Sequence, residues 1–324
     1  GTGEGMYLGC NAGACSFRNG IIANNFVHDT GGAQGDGIEV KEGAFGNDIR
    51  DNVIVRTPYP GITMYGYASQ DPQNIVERNV VWHTMDNGIQ IVGQIIVRNN
   101  IVLGAAASGI ASKPSQTYLP HDALIQNNTI VGTASCLKTN NWTGQLGNTI
   151  VNNALYCPSS IDATGGAGAA TILANVGTGT SNAASGFTMG QGTDLANAAM
   201  ADVWPPPGSA LLGAADMAHQ AADDFNATMR THQTVGAYDG GAAMNPGWTV
   251  MEGFKPLPPT PPPMTDAPPF VDCPTAGATC PNMKPAGCCE TGGGDPSGLL
   301  VLLSWWSARQ TFRYRRRRAR SSPR

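Results

Sequence analysis

Charged residues are scarce in this chain, at 13% of 324 residues, and no long amphipathic helical pattern occurs before residue 190. Aromatic residues are also few, at 7%. Glycine is abundant by contrast, with 42 residues. A sequence low in charge and rich in Gly and Asn favours many short strands joined by turns. These features argue against a helical protein and predict an all-β one.

The eight cysteines lack the paired short spacings, with His nearby, that are typical of metal sites. We therefore predict no metal ligands among them and expect disulfides formed in an oxidising compartment. Sequence alone does not fix the pairing, but we favour Cys10–Cys15 and Cys136–Cys157. The other four cysteines lie in a Pro- and Gly-rich C-terminal stretch.

Positive charge is concentrated at the C-terminus, where residues 309–324 hold eight Arg and no acidic residue. The remainder has 11 basic and 23 acidic residues, a net charge of −12. An acidic body argues against nucleic acid as the main partner. The sequence opens on Gly without an export signal, which a secreted protein needs. We therefore expect its first residue to be a processed end or the start of a fragment.

Two landmarks repeat along the first half of the chain. The first is a Gly followed by an apolar residue, and the second is an Asn ahead of an apolar run, repeated every 21–28 residues. A period near 25 with two or three short strands per unit predicts a solenoid, whose stacked coils bury a shared core. Asn tolerates the left-handed backbone of a sharp corner, and its amide can bond the coils above and below. The glycines are Gly5, Gly37, Gly61, Gly88 and Gly109, and the asparagines are Asn25, Asn52, Asn79, Asn100, Asn128 and Asn153.

The segments "RDNVIVRT", "ERNVVWHT" and "QNNTIVGT", with their preceding "GI" strands, resemble the right-handed parallel β-helix of the pectin-lyase-like superfamily. The chain lacks the Leu-x-Leu ladder of a leucine-rich repeat, and its units are too short for a propeller. We predict five to seven coils over residues 3–157, within a β-helix domain of residues 1–157.

Residues 158–240 are predicted to form irregular last coils and a cap. A cap is expected because the last coil would otherwise expose its core and unpaired strand edges. Part of this stretch resembles the terminal segments of bacterial surface β-helix proteins, with Ala227 where those segments usually have Gly. The matching residues are Asp224, Phe225, Asn226, Arg230, Val235, Gly236, Ala237 and Tyr238.

Two further segments complete the predicted organisation. The high Pro content of residues 241–287 predicts a disordered, extended spacer. Residues 288–324, with Cys, a short apolar stretch and an Arg-rich end, resemble myxobacterial C-terminal sorting tags. That resemblance implies anchoring to the outer membrane through Cys288 or Cys289 and a location on the outer cell surface. The apolar stretch is about half the length of a spanning helix, so a plain disordered basic tail stays open as an alternative.

Alternation along each strand predicts two outward columns of side chains on one face of the solenoid. One column contains Glu39 and the other contains Lys41, and we take these two as the candidate catalytic residues. The candidate substrate-binding residues of the same face are Tyr7, Tyr65, Gln90, Lys113 and Lys138. His28 and His83 are expected to be surface or packing residues and not catalytic ones. Trp82 is expected in the core because it aligns with Val55 and Leu103.

Two classes of function fit this face. The first is a monomeric surface protein that binds a polysaccharide or cell-surface glycan, or that serves adhesion or structure, and the sequence favours this class. The second, implied by the family resemblance, is a polysaccharide lyase or glycoside hydrolase. A lyase needs a base and a positive group or Ca²⁺, and a hydrolase needs two carboxylates. Asp36 and Glu39 are the only such pair at one level. Without a stacked Asp cluster, no cofactor is predicted, except Ca²⁺ in the lyase case.

Overall fold

A computed structural model describes residues 3–66, 72–115, 118–167 and 169–258 of the chain. These residues lie in one compact unit. Their regular structure consists of short strands in three parallel sheets and of four 3₁₀ turns, at Asn11–Gly13, Gly192–Asp194, Ala198–Met200 and Met217–His219.

The strands are numbered in chain order. The first sheet contains β1 (Met6–Leu8), β4 (Ile38–Ala44), β7 (Ile62–Gly66), β10 (Ile89–Val92), β13 (Ser108–Ser112), β16 (Ser135–Asn140), β19 (Ser159–Gly165) and β22 (Thr180–Ser181). The second contains β2 (Ile21–Ala23), β5 (Asp48–Arg50), β8 (Asn74–Glu77), β11 (Ile95–Arg98), β14 (Leu124–Gln126), β17 (Thr149–Val151) and β20 (Thr171–Leu173). The third contains β3 (Phe26–His28), β6 (Val53–Val55), β9 (Val80–Trp82), β12 (Ile101–Leu103), β15 (Thr129–Val131), β18 (Ala154–Tyr156), β21 (Asn175–Gly177) and β23 (Phe187–Met189).

Each coil adds one strand to each sheet, in parallel register with the coils above and below. Strands β1 to β18 make six coils, β19 to β21 a seventh, and β22 and β23 an incomplete eighth. The predicted right-handed parallel β-helix is therefore confirmed, as is the predicted number of coils up to residue 157. The register of the first sheet is also confirmed, because Glu39 pairs with Thr63 and Thr63 with Gln90.

The repeated glycines allow neighbouring coils to approach closely. A Cβ at Gly37 would lie 2.4 Å from the carbonyl oxygen of Gly61 and 2.4 Å from the Ile54 side chain. Both distances are too short for any real side chain, so only Gly fits. The apolar residue after each Gly points inward and is buried in the core, as Ile38, Ile62, Ile89 and Ile110 are.

The repeated asparagines form a continuous ladder at one corner. Each Nδ2 donates to the Oδ1 of the next Asn, for example from Asn52 to Asn79 at 3.0 Å, along Asn25, Asn52, Asn79, Asn100, Asn128, Asn153 and Asn175. The predicted stacking is confirmed, but the predicted left-handed backbone at the ladder Asn is wrong. The residue before it takes that conformation, as at Asp51 (φ 54°) and Arg78 (φ 53°). Amide hydrogen bonding therefore explains the repeated Asn.

The stretch predicted as last coils and cap does more than close the final coil. Residues up to 189 continue the strands, and residues 190–258, here called the flank segment, run back along the outer face of the third sheet. Apolar side chains of this segment, such as Phe225 and Tyr238, form a second core with Val55 and Leu103. Trp82 aligns with those two residues as predicted. It is only partly buried, however, and packs beneath the flank segment instead of inside the solenoid.

The cap-like motif in the flank segment is held by its own hydrogen bonds. The Asp224 carboxylate accepts from the backbone N–H groups of Asn226, Thr228 and Asp239. The Arg230 guanidinium donates to a run of backbone carbonyls that includes Gly236 and Tyr238. Ala227 has φ of 57°, a conformation that Gly adopts without strain, which explains the Gly of the resembling segments.

The first part of the predicted spacer is not a free extended chain. Val250 and Lys255 are buried, and Lys255 Nζ donates to Asp51 Oδ1 at 2.8 Å and to the carbonyl oxygens of Arg78 and Phe225. A buried ammonium needs such partners, so this residue fastens the segment to coils two and three. The rest of the spacer and the predicted tail, with Cys288 and Cys289, lie outside the described residues.

Both predicted disulfides are confirmed. Cys10 and Cys15 close a five-residue separation with a Cα–Cα distance of 4.8 Å. Cys136 and Cys157 link neighbouring coils at 5.6 Å. The first lies in a surface loop, whereas the second is buried, with both residues at most 3% exposed.

Candidate functional site

A polar groove of about 360 Å³ lies over the outer face of the first sheet. It extends across the first five coils, from Tyr7 of β1 to Lys113, which follows β13. Its volume falls in the range of about 300–1,000 Å³ that is usual for ligand pockets. The lining residues are Tyr7, Asn11, Gln34, Asp36, Glu39, Lys41, Tyr59, Pro60, Thr63, Tyr65, Asp86, Gln90 and Lys113.

Glu39 and Lys41 form an ion pair in the floor of the groove, with Lys41 Nζ 2.9 Å from Glu39 Oε1. The ammonium also lies 4.7 Å from the ring centroid of Tyr65 and 5.5 Å from that of Tyr7. Glu39 is 7% exposed and Lys41 is 6% exposed, so these two charged residues are buried and do not belong to an ordinary solvent-exposed strand face. Burial lowers the pKa of Lys41, but the hydrogen bond and charge of Glu39 outweigh burial, and the pKa is raised. Lys41 therefore stays protonated.

Asp36 supplies a second carboxylate beside this pair. It precedes β4, and its Oδ1 accepts a 2.5 Å hydrogen bond from Thr63 Oγ1 of the next coil. Burial raises the pKa of Asp36 to about 6, in spite of the bond from Thr63, and the Glu39 charge adds to the rise. Asp36 thus carries a proton in mildly acidic solution. Glu39 has different surroundings, because it is paired with the Lys41 ammonium.

Two of the three groove tyrosines remain open to solvent. Tyr7 is 46% exposed and Tyr59 is 39% exposed, whereas Tyr65 is 9% exposed. Burial raises the pKa of the Tyr65 phenol, which is also hydrogen-bonded to Ser115. Tyr7 and Tyr59 can therefore offer ring surface to a ligand, while Tyr65 supports Lys41 from within.

Polar groups continue along the groove beyond the ion pair. Gln90 Oε1 accepts from Asn87 Nδ2 at 3.3 Å. No carboxylate oxygen within the described residues lies within salt-bridge distance of Lys113. Lys138 continues the Glu39 column as predicted, but the structure places it outside the groove, 3.5 Å from Asp162. The groove thus gathers six of the seven predicted site residues.

Sequence reasoning missed several lining residues, namely Asn11, Gln34, Tyr59, Pro60 and Asp86. Gln34, Tyr59 and Asp86 share a signal, because each stands two or three residues before a repeated Gly, in the turn that leads into the first sheet. Extending the outward columns into these turns would have found them. Asn11 carries no such signal, because it reaches the groove from the Cys10–Cys15 loop.

The other predicted features are peripheral to the groove. His28 is exposed beside Asp29, and His83 has φ of 54° at a corner and stacks on Trp82. Within the described ranges, no group of three or more His, Cys, Asp or Glu side chains could hold a metal ion. In the same part of the chain, no helix is long and apolar enough to span a bilayer.

Fold and groove together define a parallel β-solenoid with a polar groove on one face. The chain is similar to one family model, described as the right handed beta helix region, over residues 2–155. No curated protein and no solved structure matches the chain significantly. The family match supports the β-helix fold, which is a general scaffold on which many unrelated activities occur.

Proposed function

We propose that this protein is a saccharide-binding protein of the cell surface and that the groove is its binding site. The observation that carries the proposal is the lining itself, in which two exposed tyrosine rings stand over a floor of acid, amide and ammonium groups. Saccharides combine apolar ring faces with many hydroxyl groups. Aromatic faces and charge-assisted hydrogen bonds are the matching partners.

The elongated form of the groove supports a chain-like ligand. Neighbouring coils lie about 4.8 Å apart, so the five coils from Tyr7 to Lys113 span about 19 Å. An unbranched oligosaccharide could contact each coil in turn. Lys113, without a carboxylate partner among the described residues, offers a charge to an acidic sugar.

Glycoside hydrolysis is a second candidate, favoured by one observation. Asp36 and Glu39 share the groove but differ in environment, because burial raises the pKa of Asp36 to about 6 and Lys41 pairs with Glu39. Such a difference suits a general acid beside a charged base or nucleophile. A lyase is less favoured, because Lys41 keeps its proton and Tyr65 has a raised pKa, so neither is a ready base.

A glycan panel of neutral and acidic polysaccharides, incubated with the protein at pH 5 and pH 7, tests both candidates. Retention without product supports binding, new reducing ends support hydrolysis, and unsaturated uronide product supports a lyase. In the binding case, we expect Tyr7→Ala to weaken affinity about tenfold, since a stacked ring contributes on the order of 1 kcal/mol or more. Lys138→Ala is the matched control, because it lies in the same column but outside the groove. No retention and no product from any glycan would refute both candidates.

In the hydrolytic case, we expect Asp36→Asn and Glu39→Gln each to lower the rate about 100-fold or more, as for the loss of an acid–base group. Full activity in both variants would contradict a catalytic role for this groove. The proposed outer-surface location, with a monomer anchored through Cys288 or Cys289, has a separate test. Fractionation that finds the protein reduced and in the cytoplasm would rule out that location.

A further inference from the structure

Acidic side chains outnumber basic ones in the lining of the groove. The acidic residues are Asp36, Glu39 and Asp86, and the basic residues are Lys41 and Lys113. Glu39 and Lys41 are paired, so together they contribute no net charge. Within the described residues, no cationic side chain lies within salt-bridge distance of Asp36 or Asp86. The groove therefore contains two carboxyl groups whose charge the described chain does not balance.

The coil register places these two carboxyl groups on one wall of the groove. Asp36, Tyr59 and Asp86 each lie one or two residues before a repeated Gly, in the turns of the second, third and fourth coils. Neighbouring coils are about 4.8 Å apart, so the levels of Asp36 and Asp86 are about 10 Å apart, with Tyr59 between them. The Tyr59 side chain is 39% exposed, and its ring is open to a ligand at this point.

The basic residues of the groove belong to a different column. Lys113 follows β13, and the register aligns it with Tyr65 and Lys41 on the first sheet, away from the turns that carry Asp36 and Asp86. Lys41 already has Glu39 as its partner. It also has a second acidic neighbour, Glu42, whose charge acts on both Lys41 and Tyr65. Neither lysine therefore compensates the acidic wall.

We propose that the groove binds a glycan of amino sugars with free amines, whose ammonium groups pair with Asp36 and Asp86 on either side of the Tyr59 ring. This inference rests on the proposed function and names the class of its ligand. An ammonium gains charge-assisted hydrogen bonds from carboxylates and attraction to an aromatic face. An N-acetylated sugar lacks that charge, and the wall repels a uronate. Lys113, one coil beyond Asp86, can still take an acidic unit of the same glycan.

Matched oligosaccharides test the ligand class. The probes are a glucosamine hexamer, its fully N-acetylated form and a galacturonate hexamer, each titrated into the full chain by calorimetry at pH 6.5. Burial raises the pKa of Asp36 to about 6, so most of this carboxyl group is ionised at that pH. We expect the amine hexamer to bind at least about tenfold more tightly than its acetylated form, because acetylation removes the charge that the carboxylates would pair with.

Variants of the wall locate the binding. Asp36→Asn and Asp86→Asn should each weaken binding of the amine hexamer about tenfold and leave binding of the acetylated form nearly unchanged. Tyr59→Leu should weaken binding of the amine hexamer about threefold, whereas Tyr59→Phe should not, since the ring is what attracts the cation. Asp162→Asn is the matched control, because it removes a carboxylate of the same sheet that lies outside the groove, beside Lys138.

The outcomes separate this inference from the proposed function. If the acetylated or the galacturonate hexamer binds as tightly as the amine hexamer, the amino-sugar assignment is overturned while the saccharide site survives. Binding of the amine hexamer that Asp162→Asn weakens as much as Asp36→Asn would overturn it as well, because general attraction to the acidic body would then explain the affinity. Absence of binding by all three hexamers would overturn the assignment and count against the proposed function itself.

Discussion

Two buried acid–lysine pairs in this protein have different surroundings. In the groove, Lys41 donates to Glu39 at 2.9 Å and otherwise faces two tyrosine rings. Under the flank segment, Lys255 donates to Asp51 at 2.8 Å and to two backbone carbonyls. An ammonium has three donors, so Lys255 uses all of its capacity within the fold. Lys41, with one hydrogen bond to the part of the chain that the structure describes, keeps capacity for a ligand.

This difference separates a structural charge cluster from a candidate binding site. The Lys255 cluster also contains Arg78, which contacts Asp51, Glu77 and Asp223. These contacts join the second and third coils to the flank segment. The groove, by contrast, has its ion pair, Asp36 and two open tyrosines around empty volume. Both sites contain an acid and a lysine, so residue type does not separate them. What separates them is the number of hydrogen-bonding groups that the described fold leaves for a ligand.

The largest expected effect is on the structural cluster. Asp51→Ala removes the carboxylate partner of Lys255 and one partner of Arg78 while both remain buried, so we expect a loss of about 3–5 kcal/mol in the free energy of unfolding. Denaturant unfolding measures it. Asp29→Ala, at an exposed ion pair with Arg56, is the control and should cost much less, because solvent screens that pair. Equal losses in the two variants would show that the buried cluster has no special role.

The Asn ladder should show the next largest effect. Asn100→Ala leaves the Asn79 amide and the Asn128 carbonyl oxygen without their ladder partner in a buried corner. We expect a loss of about 2–4 kcal/mol, since each unsatisfied buried group costs about 1–3 kcal/mol. Asn197→Ala, at an exposed position with φ of −158° and no side-chain cap hydrogen bond, should change stability by less than about 0.5 kcal/mol. Thermal unfolding that ranks the two variants equally would contradict a stabilising ladder.

The smallest expected effect has the opposite sign. Because the pKa of Asp36 is raised from 3.8 to about 6, the unfolded chain releases this proton at lower pH than the folded chain does. Asp36 therefore lowers the stability of the wild type as pH rises from about 4 to 6. Asp36→Asn should be more stable than wild type at pH 7.5, by about 1–2 kcal/mol after allowance for solvent screening. The Asn side chain keeps an acceptor for Thr63.

The pH dependence makes that last prediction decisive. At pH 4, both forms of residue 36 are neutral in the folded protein, so the two unfolding free energies should converge. Denaturant unfolding at pH 4 and pH 7.5 tests this difference. A variant that is less stable than wild type at both pH values would show that the Asp36 carboxylate is part of the structural framework, like Asp51.

Much of the solenoid was predictable because its constraints recur once per coil. The Gly37 and Gly61 positions, the inward Ile38 and Ile62, and the Asn52–Asn79 step all follow from stacking one coil on the next. The candidate site was predictable only where it shares this period, as at Glu39 and Lys41. Tyr59 and Asp86 also recur once per coil, in the turns before the repeated Gly, but they lie outside the two outward columns. Asn11 reaches the groove through a disulfide loop without any periodic signal.

The sequence by itself determined the coil, the register of its outward columns and the residue types available on each face, because backbone preferences are local and the same pattern repeats once per coil. Tertiary structure alone decided which polar residues are satisfied. Lys255 is 204 residues from Asp51 in the chain and meets it only because the flank segment folds back along the third sheet. The Lys41 ammonium, likewise, lies against the rings of Tyr7 and Tyr65, which come from other coils. Such contacts between distant residues have no period, so they emerge only when the chain has folded.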